Sequence, residues 1–307
     1  METTILKGES AKERILTETK SSLRELTNRY GKTPGIAFIG FEGVPLAKYT
    51  IPLHVQLARE LGFEVVLEMK PEEVTESELF NLIDRLNVNN NVHAVVILQP
   101  VPIHLNAMRI SNQIVPEKEV EGFHPLNMLG TLLPEVIPNE YPMCLPAALG
   151  EIFKEAGIRP GKNDEWVFLL DDEFLENPLT KMIVHTAALK VVPNDCPVTF
   201  LTRNSSIVIE CCKKADYLVI VTKHPEYVKP EWLKPGVCII DIYSNLVKEI
   251  PSKNDPSKLV PIIRGGISAE SAKNIASAIL PVPGGLMTTV LAILFHNAML
   301  AFKNKMS

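Results

Sequence analysis

The sequence predicts a two-domain α/β protein whose second domain is a doubly wound parallel sheet. Three observations carry this expectation. The chain's 307 residues exceed one ordinary domain and suit two. Short apolar runs alternate with helical stretches, the pattern of parallel strands joined by helical crossovers. The alternation starts afresh after Pro146, beyond a segment from Pro125 that holds five prolines and reads as an interdomain connection.

The first half opens with an amphipathic helix over 10–30, closed by Gly31. An apolar strand follows at 35–41, then a helix from about 45 to 61 that Gly62 stops. A second strand spans 64–69. Thr75-Glu76-Ser77-Glu78 has the spacing of a capping box, ahead of the helical positions Leu79, Leu82, Ile83 and Leu86. Residues 92–98 read as a buried strand. In the second half, strands at 166–170, 198–201, 217–222 and 237–242 are separated by helices at 178–189 and 205–214. A last helix over 287–303 follows the turn Pro281-Val282-Pro283-Gly284-Gly285. No internal repeat or low-complexity tract interrupts this plan.

Composition narrows the function classes. A hydrophobic fraction of 46% supplies two cores, and 22% charged residues argues against disorder. With a net charge of −5 and scattered lysines and arginines, neither nucleic acid nor an acidic membrane is an expected partner. The five cysteines, Cys144, Cys196, Cys211, Cys212 and Cys238, show no metal-ligand spacing and predict reduced thiols. The N-terminal segment lacks a signal or transit pattern. The apolar run 290–302 is broken by His296-Asn297 and is too short to span a bilayer. The cytoplasm is the expected location.

Three strings then point to a family. Gly122-Phe123-His124-Pro125 with Asn127, preceded by Glu119-Val120-Glu121, resembles the motif DVDGFHPxN. Pro281-Val282-Pro283-Gly284-Gly285 with Met287-Thr288 resembles TPVPGGVGPMT, and Pro34-Gly35-Ile36-Ala37 resembles PGLA. In this order they resemble the bifunctional methylenetetrahydrofolate dehydrogenase/methenyltetrahydrofolate cyclohydrolases (FolD), over nearly the whole chain. The resemblance implies a folate-type catalytic domain at 1–145 plus 283–307, with the last helix returning to it. It implies a Rossmann-like NAD(P)-binding-type domain at 146–282. Family members bind tetrahydrofolate between two domains, oxidise its methylene bridge and hydrolyse the methenyl product.

On the folate side, this chain departs from the family's pattern. In the family's YVxxK motif the Tyr position holds Thr50 and the Lys position holds His54; Tyr49 sits one residue early, about 100° around a helix. His54 is a candidate for the proton transfer of hydrolysis, since imidazole exchanges protons at neutral pH. The alternative is a helix residue without chemical duty. The Gln of VQLPLP matches Leu98, and Gln99 falls one step later, on the opposite face of a strand unless a bulge or frayed end rescues it. Glu121 stands at the pterin-binding acid, one methylene longer, where a carboxylate accepts two adjacent N–H groups. Pro283, Gly284 and Gly285 keep the family's ligand loop, which is two residues shorter here.

On the cofactor side, the glycine-rich turn GxSxxVGxP matches Leu170-Asp171-Asp172-Glu173-Phe174-Leu175-Glu176-Asn177-Pro178. Its glycines are gone and four carboxylates take the loop. A unit charge about 4 Å from a phosphate costs ~1 kcal/mol in water and more in a cleft. The acids suit the positive end of the helix that Asn177 caps and Pro178 begins, in place of a phosphate. Lys223 and Tyr243 replace two further family glycines. Arg203 and Ser205 fall where members meet a 2′-phosphate, or simply form a helix-start loop.

The expectation is therefore a protein of tetrahydrofolate metabolism without bound cofactor: a pseudoenzyme, or a folate-binding or assembly partner. It would pair as a homodimer or as a heterodimer with a paralogue. The alternative is an active dehydrogenase/cyclohydrolase using NADP or NAD, or a cyclohydrolase acting through His54 alone.

Overall fold

The computed structural model describes residues 2–137 and 141–307. In chain order the first half comprises β1 (Thr4–Ile5), α1 (Glu9–Tyr30), β2 (Gly35–Phe41), α2 (Ala47–Leu61), β3 (Glu64–Lys70) and α3 (Glu76–Val88). Next come β4 (Ala94–Ile97), α4 (Ala107–Gln113), α5 (Pro125–Leu132) and α6 (Cys144–Ala156). The second half runs β5 (Trp166–Leu170), α7 (Asp172–Glu176), α8 (Pro178–Val191), β6 (Val198–Thr202), α9 (Val208–Lys214), β7 (Tyr217–Val221) and β8 (Cys238–Asp241). It closes with β9 (Asn245–Pro251), β10 (Leu259–Arg264), α10 (Ala269–Ala272), β11 (Ala278–Leu280) and α11 (Leu286–Met306).

The chain divides into two compact units. One comprises Met1–Ala11 with Ala148–Thr289, the other Lys12–Ala147 with Val290–Ser307. The second of these holds a three-stranded parallel sheet ordered β3-β2-β4, with Ile36 level with Val65 and Ala94. Every residue of β2 is buried, as a continuous apolar run in a covered parallel strand requires. Ala37 and Ile39 face a core of Leu79, Leu82, Ile83, Leu86 and Ile110. Phe38 meets Phe295 of α11, ring centroids 6.4 Å apart. Thr75 does form the expected capping box, its hydroxyl accepting from the Glu78 amide while Glu78 accepts from the Thr75 amide.

Two expectations change here. The proline-rich stretch is not simply a connection: Pro125 begins α5, which His124 caps, and Asn127, Met128 and Thr131 of that helix are buried. Part of the expected linker, residues 138–140, lies outside the described residues. The last helix is longer than predicted, 21 residues, and apolar enough to cross a bilayer by length and composition. It is instead a core helix. Phe295, Asn297 and Phe302 are fully buried, and Asn297 donates to the Val120 and Pro142 carbonyls. His296 Nδ1 and Thr19 Oγ1, 3.3 Å apart, join it to α1.

The other unit is built on a six-stranded, all-parallel sheet ordered β1-β11-β8-β7-β5-β6. From β5 the chain winds outward to β6, then crosses to β7 on the other side and proceeds to β8. The carboxyl ends of β5 and β7 therefore bound the topological switch point, where doubly wound sheets place their ligands. A core of Leu169, Leu218, Ile220, Ile239 and Ile279 packs one face. Trp166 stacks on Tyr217 with centroids 4.2 Å apart.

Candidate functional site

In the unit built on β2–β4, the candidate residues gather around the same small sheet. His54 on α2 sets its ring edge-on to Phe38, centroids 5.9 Å apart. Its Nδ1 lies 2.7 Å from the Thr50 carbonyl oxygen. A carbonyl can only accept, so Nδ1 carries the ring proton and Nε2 keeps its lone pair. Burial lowers the ring's pKa, against the opposing pull of the Thr50 carbonyl, and the imidazole is neutral at neutral pH. By charge and by tautomer it is prepared to take a proton. Thr50 is exposed and turns its hydroxyl back onto the Leu46 carbonyl. Half-buried Tyr49 has Lys48 Nζ 5.2 Å above its ring.

Glu121 follows the same sheet. The Ile97 amide, on the last residue of β4, donates to its carboxyl group. Burial pushes that carboxyl well above the usual range, and Glu119 adds like-charge repulsion. The sequence predicted a charged acid; the structure holds it toward the protonated form, which donates as well as accepts. Glu119 fixes the turn below it, accepting from the Glu121 amide at 3.0 Å, the His124 amide at 2.8 Å and Asn127 Nδ2 at 3.1 Å. Between them Gly122 has φ of +85°, and a Cβ there would lie 2.6 Å from Met143 Cα. Only glycine meets both conditions. Gln99 lies two residues past the end of β4 and is exposed, where strand alternation no longer sets its direction.

A separate cavity of about 590 Å³ in this unit is lined by His93, Lys118, Asn127, Tyr141 and Lys305, among others. None of the sequence-predicted site residues lines it.

In the other unit, Pro283 and Gly284 are exposed and Gly285 is buried. A Cβ at Gly285 would lie 2.4 Å from the Pro281 carbonyl oxygen, so the chain can pass there only as glycine. The turn after β5 contains no glycine. Asp171, 6% exposed, points its carboxylate across the switch point. Thr222 Oγ1 donates to Oδ1 at 2.8 Å and the Lys223 amide donates to Oδ2 at 2.6 Å. Arg203 Nε forms an ion pair with Oδ1 at 3.4 Å. Lys223 Nζ meets Glu173 at 2.8 Å and lies over the Phe174 ring, which in turn contacts Tyr243. Ser205 makes local loop bonds, its amide donating to the Thr202 carbonyl and its hydroxyl accepting from the Ile207 amide at 3.5 Å. Asp241, fully buried at the end of β8, accepts from the Gly266 and Ile267 amides at 3.1 and 3.3 Å. Burial nevertheless pushes its carboxyl up to about 7.

A small parallel sheet carrying a neutral histidine and a starved acid, with a doubly wound unit beside it in the sequence, defines a two-domain α/β protein of the nucleotide-and-substrate class. The chain belongs to the tetrahydrofolate dehydrogenase/cyclohydrolase family. Residues 6–121 match the model of that family's catalytic domain, and residues 143–306 match its NAD(P)-binding domain. The bifunctional protein FolD of Desulfosudis oleivorans is 33% identical over 306 residues, covering 100% of this chain and 99% of that one. FolD of Ligilactobacillus salivarius is 32% identical over 294 residues, 96% and 95% of the two chains. Among solved structures, a Trypanosoma brucei methylenetetrahydrofolate dehydrogenase-cyclohydrolase complexed with NADP and an inhibitor shares the fold. Its TM-score is 0.81 at 24% identity, over 99% of this chain and 98% of that chain. A methylenetetrahydrofolate dehydrogenase from the silkworm Bombyx mori has TM-score 0.77 at 25% identity, over 98% of each chain.

Proposed function

We propose that this chain acts on the one-carbon bridge of tetrahydrofolate, within the methylenetetrahydrofolate dehydrogenase/methenyltetrahydrofolate cyclohydrolase pair of activities. Full-length relatives named bifunctional support the pair. Hydrolysis is the half that the chain's own residues support best, and the observation that carries it is the His54 tautomer. The methenyl bridge is a cationic, electrophilic carbon between two nitrogens. Water adds its oxygen to that carbon as Nε2 takes a proton. One C–N bond then opens, leaving a formyl group on one nitrogen and a hydrogen on the other, with one proton released overall. Glu121 supplies a hydrogen-bonding carboxyl for the aminopyrimidinone edge, with Tyr49, Thr50 and Gln99 as further substrate contacts.

The dehydrogenase half calls for NADP or NAD on the second domain, with Arg203 and Ser205 as its candidate contacts. A second reading, a folate-binding or assembly partner without turnover, draws on Thr50 and His54 standing where the family has Tyr and Lys. Pairing with a second copy or a paralogue fits β3, an edge strand that exposes Val66, Leu67 and Met69. A cytoplasmic place belongs to the same proposal.

The test is the absorbance decay of methenyltetrahydrofolate with wild type and His54→Ala. Decay above the uncatalysed rate that falls in the variant supports hydrolysis through His54. Equal rates for enzyme and blank favour the second reading.

A further inference from the structure

The carboxyl ends of β6, β5 and β7 lie side by side, and the residues that follow them, Arg203, Asp171 and Thr222, converge. This is the edge at which a doubly wound sheet receives an anionic ligand, with backbone amides and a cation around a crevice. Here the anion is already part of the chain. The Asp171 carboxylate takes one hydroxyl, one backbone amide and one guanidinium, each from beyond its own strand. Asn245 strengthens the arrangement by donating its side-chain amide to the Thr222 carbonyl at 3.0 Å. The turn then continues over the edge: Asp172 accepts from Asn204, Glu173 pairs with Lys223, and Phe174 lies against Tyr243.

We propose that Asp171 is a built-in occupant of the switch-point anion position, bridging β5 to β7 where a nucleotide phosphate would otherwise sit. The residues present do not fit a dinucleotide. Its phosphates would have to displace a carboxylate from its donors and then lie beside the negative charges of Asp172, Glu173 and Glu176. A turn free of glycine also brings side chains where backbone must come close. With Asp171 shortened, the same donors become a receptor for a small carboxylate or phosphate. The inference rests on the second domain alone and is independent of whether His54 hydrolyses the methenyl bridge.

Chemical rescue tests it. Thermal melts of full-length wild type, Asp171→Ala and Asp171→Asn would be compared in sodium formate and in sodium chloride at equal ionic strength. Formate has the shape of the deleted group. The expected result is that both variants melt several degrees below wild type. Formate then raises Asp171→Ala saturably above its chloride control, while wild type and the space-filling Asp171→Asn respond alike to both salts. If Asp171→Ala does not fold in chloride, folding in formate gives the same answer. Unchanged melting of both variants would overturn the proposal, as would formate acting no better than chloride on Asp171→Ala. Saturable binding of NADP or NAD to wild type in calorimetry would also overturn it, whatever the hydrolysis assay returns.

Discussion

Asp171, just past the end of β5, and Glu121, in the turn that meets the end of β4, are acids in two different units, and their surroundings are opposite. Asp171 receives two hydrogen bonds and an arginine from its own chain. Glu121 receives one backbone amide and faces a second carboxyl, and its proton affinity rises accordingly. A carboxylate saturated by its own fold has nothing to offer a ligand. One that is buried and short of donors gains from any ligand that brings N–H groups. Asp171 therefore marks an edge closed by the protein, and Glu121 an edge at which the protein still lacks a partner.

The largest test concerns a third acid, Asp241, which has amide donors from Gly266, Ile267 and Ile242 and is still raised to about 7 because burial outweighs them. Its unfolded value is 3.8, so the folded state binds the extra proton and stability falls as pH rises from about 4 to about 7. A rise of that size in proton affinity corresponds to about 4 kcal/mol. Urea denaturation of wild type and Asp241→Asn across that window should show a steeper decline in wild type than in the variant. Equal slopes would mean that amide donors suffice to hold a buried carboxylate charged, and Glu121 and Asp171 would no longer differ in kind.

Next in size, Asp171→Asn should cost about 2–3 kcal/mol at pH 7, because it weakens charge-assisted bonds and leaves Arg203 beside a neutral group. Urea denaturation at that pH measures it. His54→Ala should slow methenyl hydrolysis about 10²-fold, the usual scale for losing a general base, while its melting temperature moves little because the ring is only half-buried. The smallest effect has the opposite sign. Glu121→Gln should stabilise the protein by about 1 kcal/mol near pH 7, since it removes a charge the fold disfavours. The same variant should bind a folate analogue less tightly in a fluorescence titration. A destabilised Glu121→Gln would show that this acid is as well served by its own chain as Asp171 is.

Much of this was legible in the residues. The runs 35–41 and 166–170 are continuous apolar strands, and Thr75 to Glu78 spells its own cap. The acids of the second-domain turn are also plain in the sequence. Their partners are not, because Thr222 and Arg203 reach Asp171 only through the order of β6, β5 and β7, a long-range property. The raised proton affinity of Glu121 was hidden for a similar reason: it depends on burial and on Glu119 closing around it, against the Ile97 amide. The hairpin of β9 and β10 was missed although Asn254-Asp255-Pro256 marks its turn. The helix at Pro125 was missed because five prolines masked a proline at the first helical position, where it is well tolerated.

β1 has a consequence for folding. Thr4 and Ile5 pair with Ala278 and Ile279, Thr3 donates to the Ala276 carbonyl, and the Leu6 amide donates to Ile279. Thr3 and the strand it leads must therefore wait, unzipped, for partners about 273 positions further along the chain. Closing so long a loop costs entropy that only finished packing returns, so the sheet's outer border is sealed late in folding. An affinity tag fused ahead of Thr3 would burden that final seam more than one trailing Ser307.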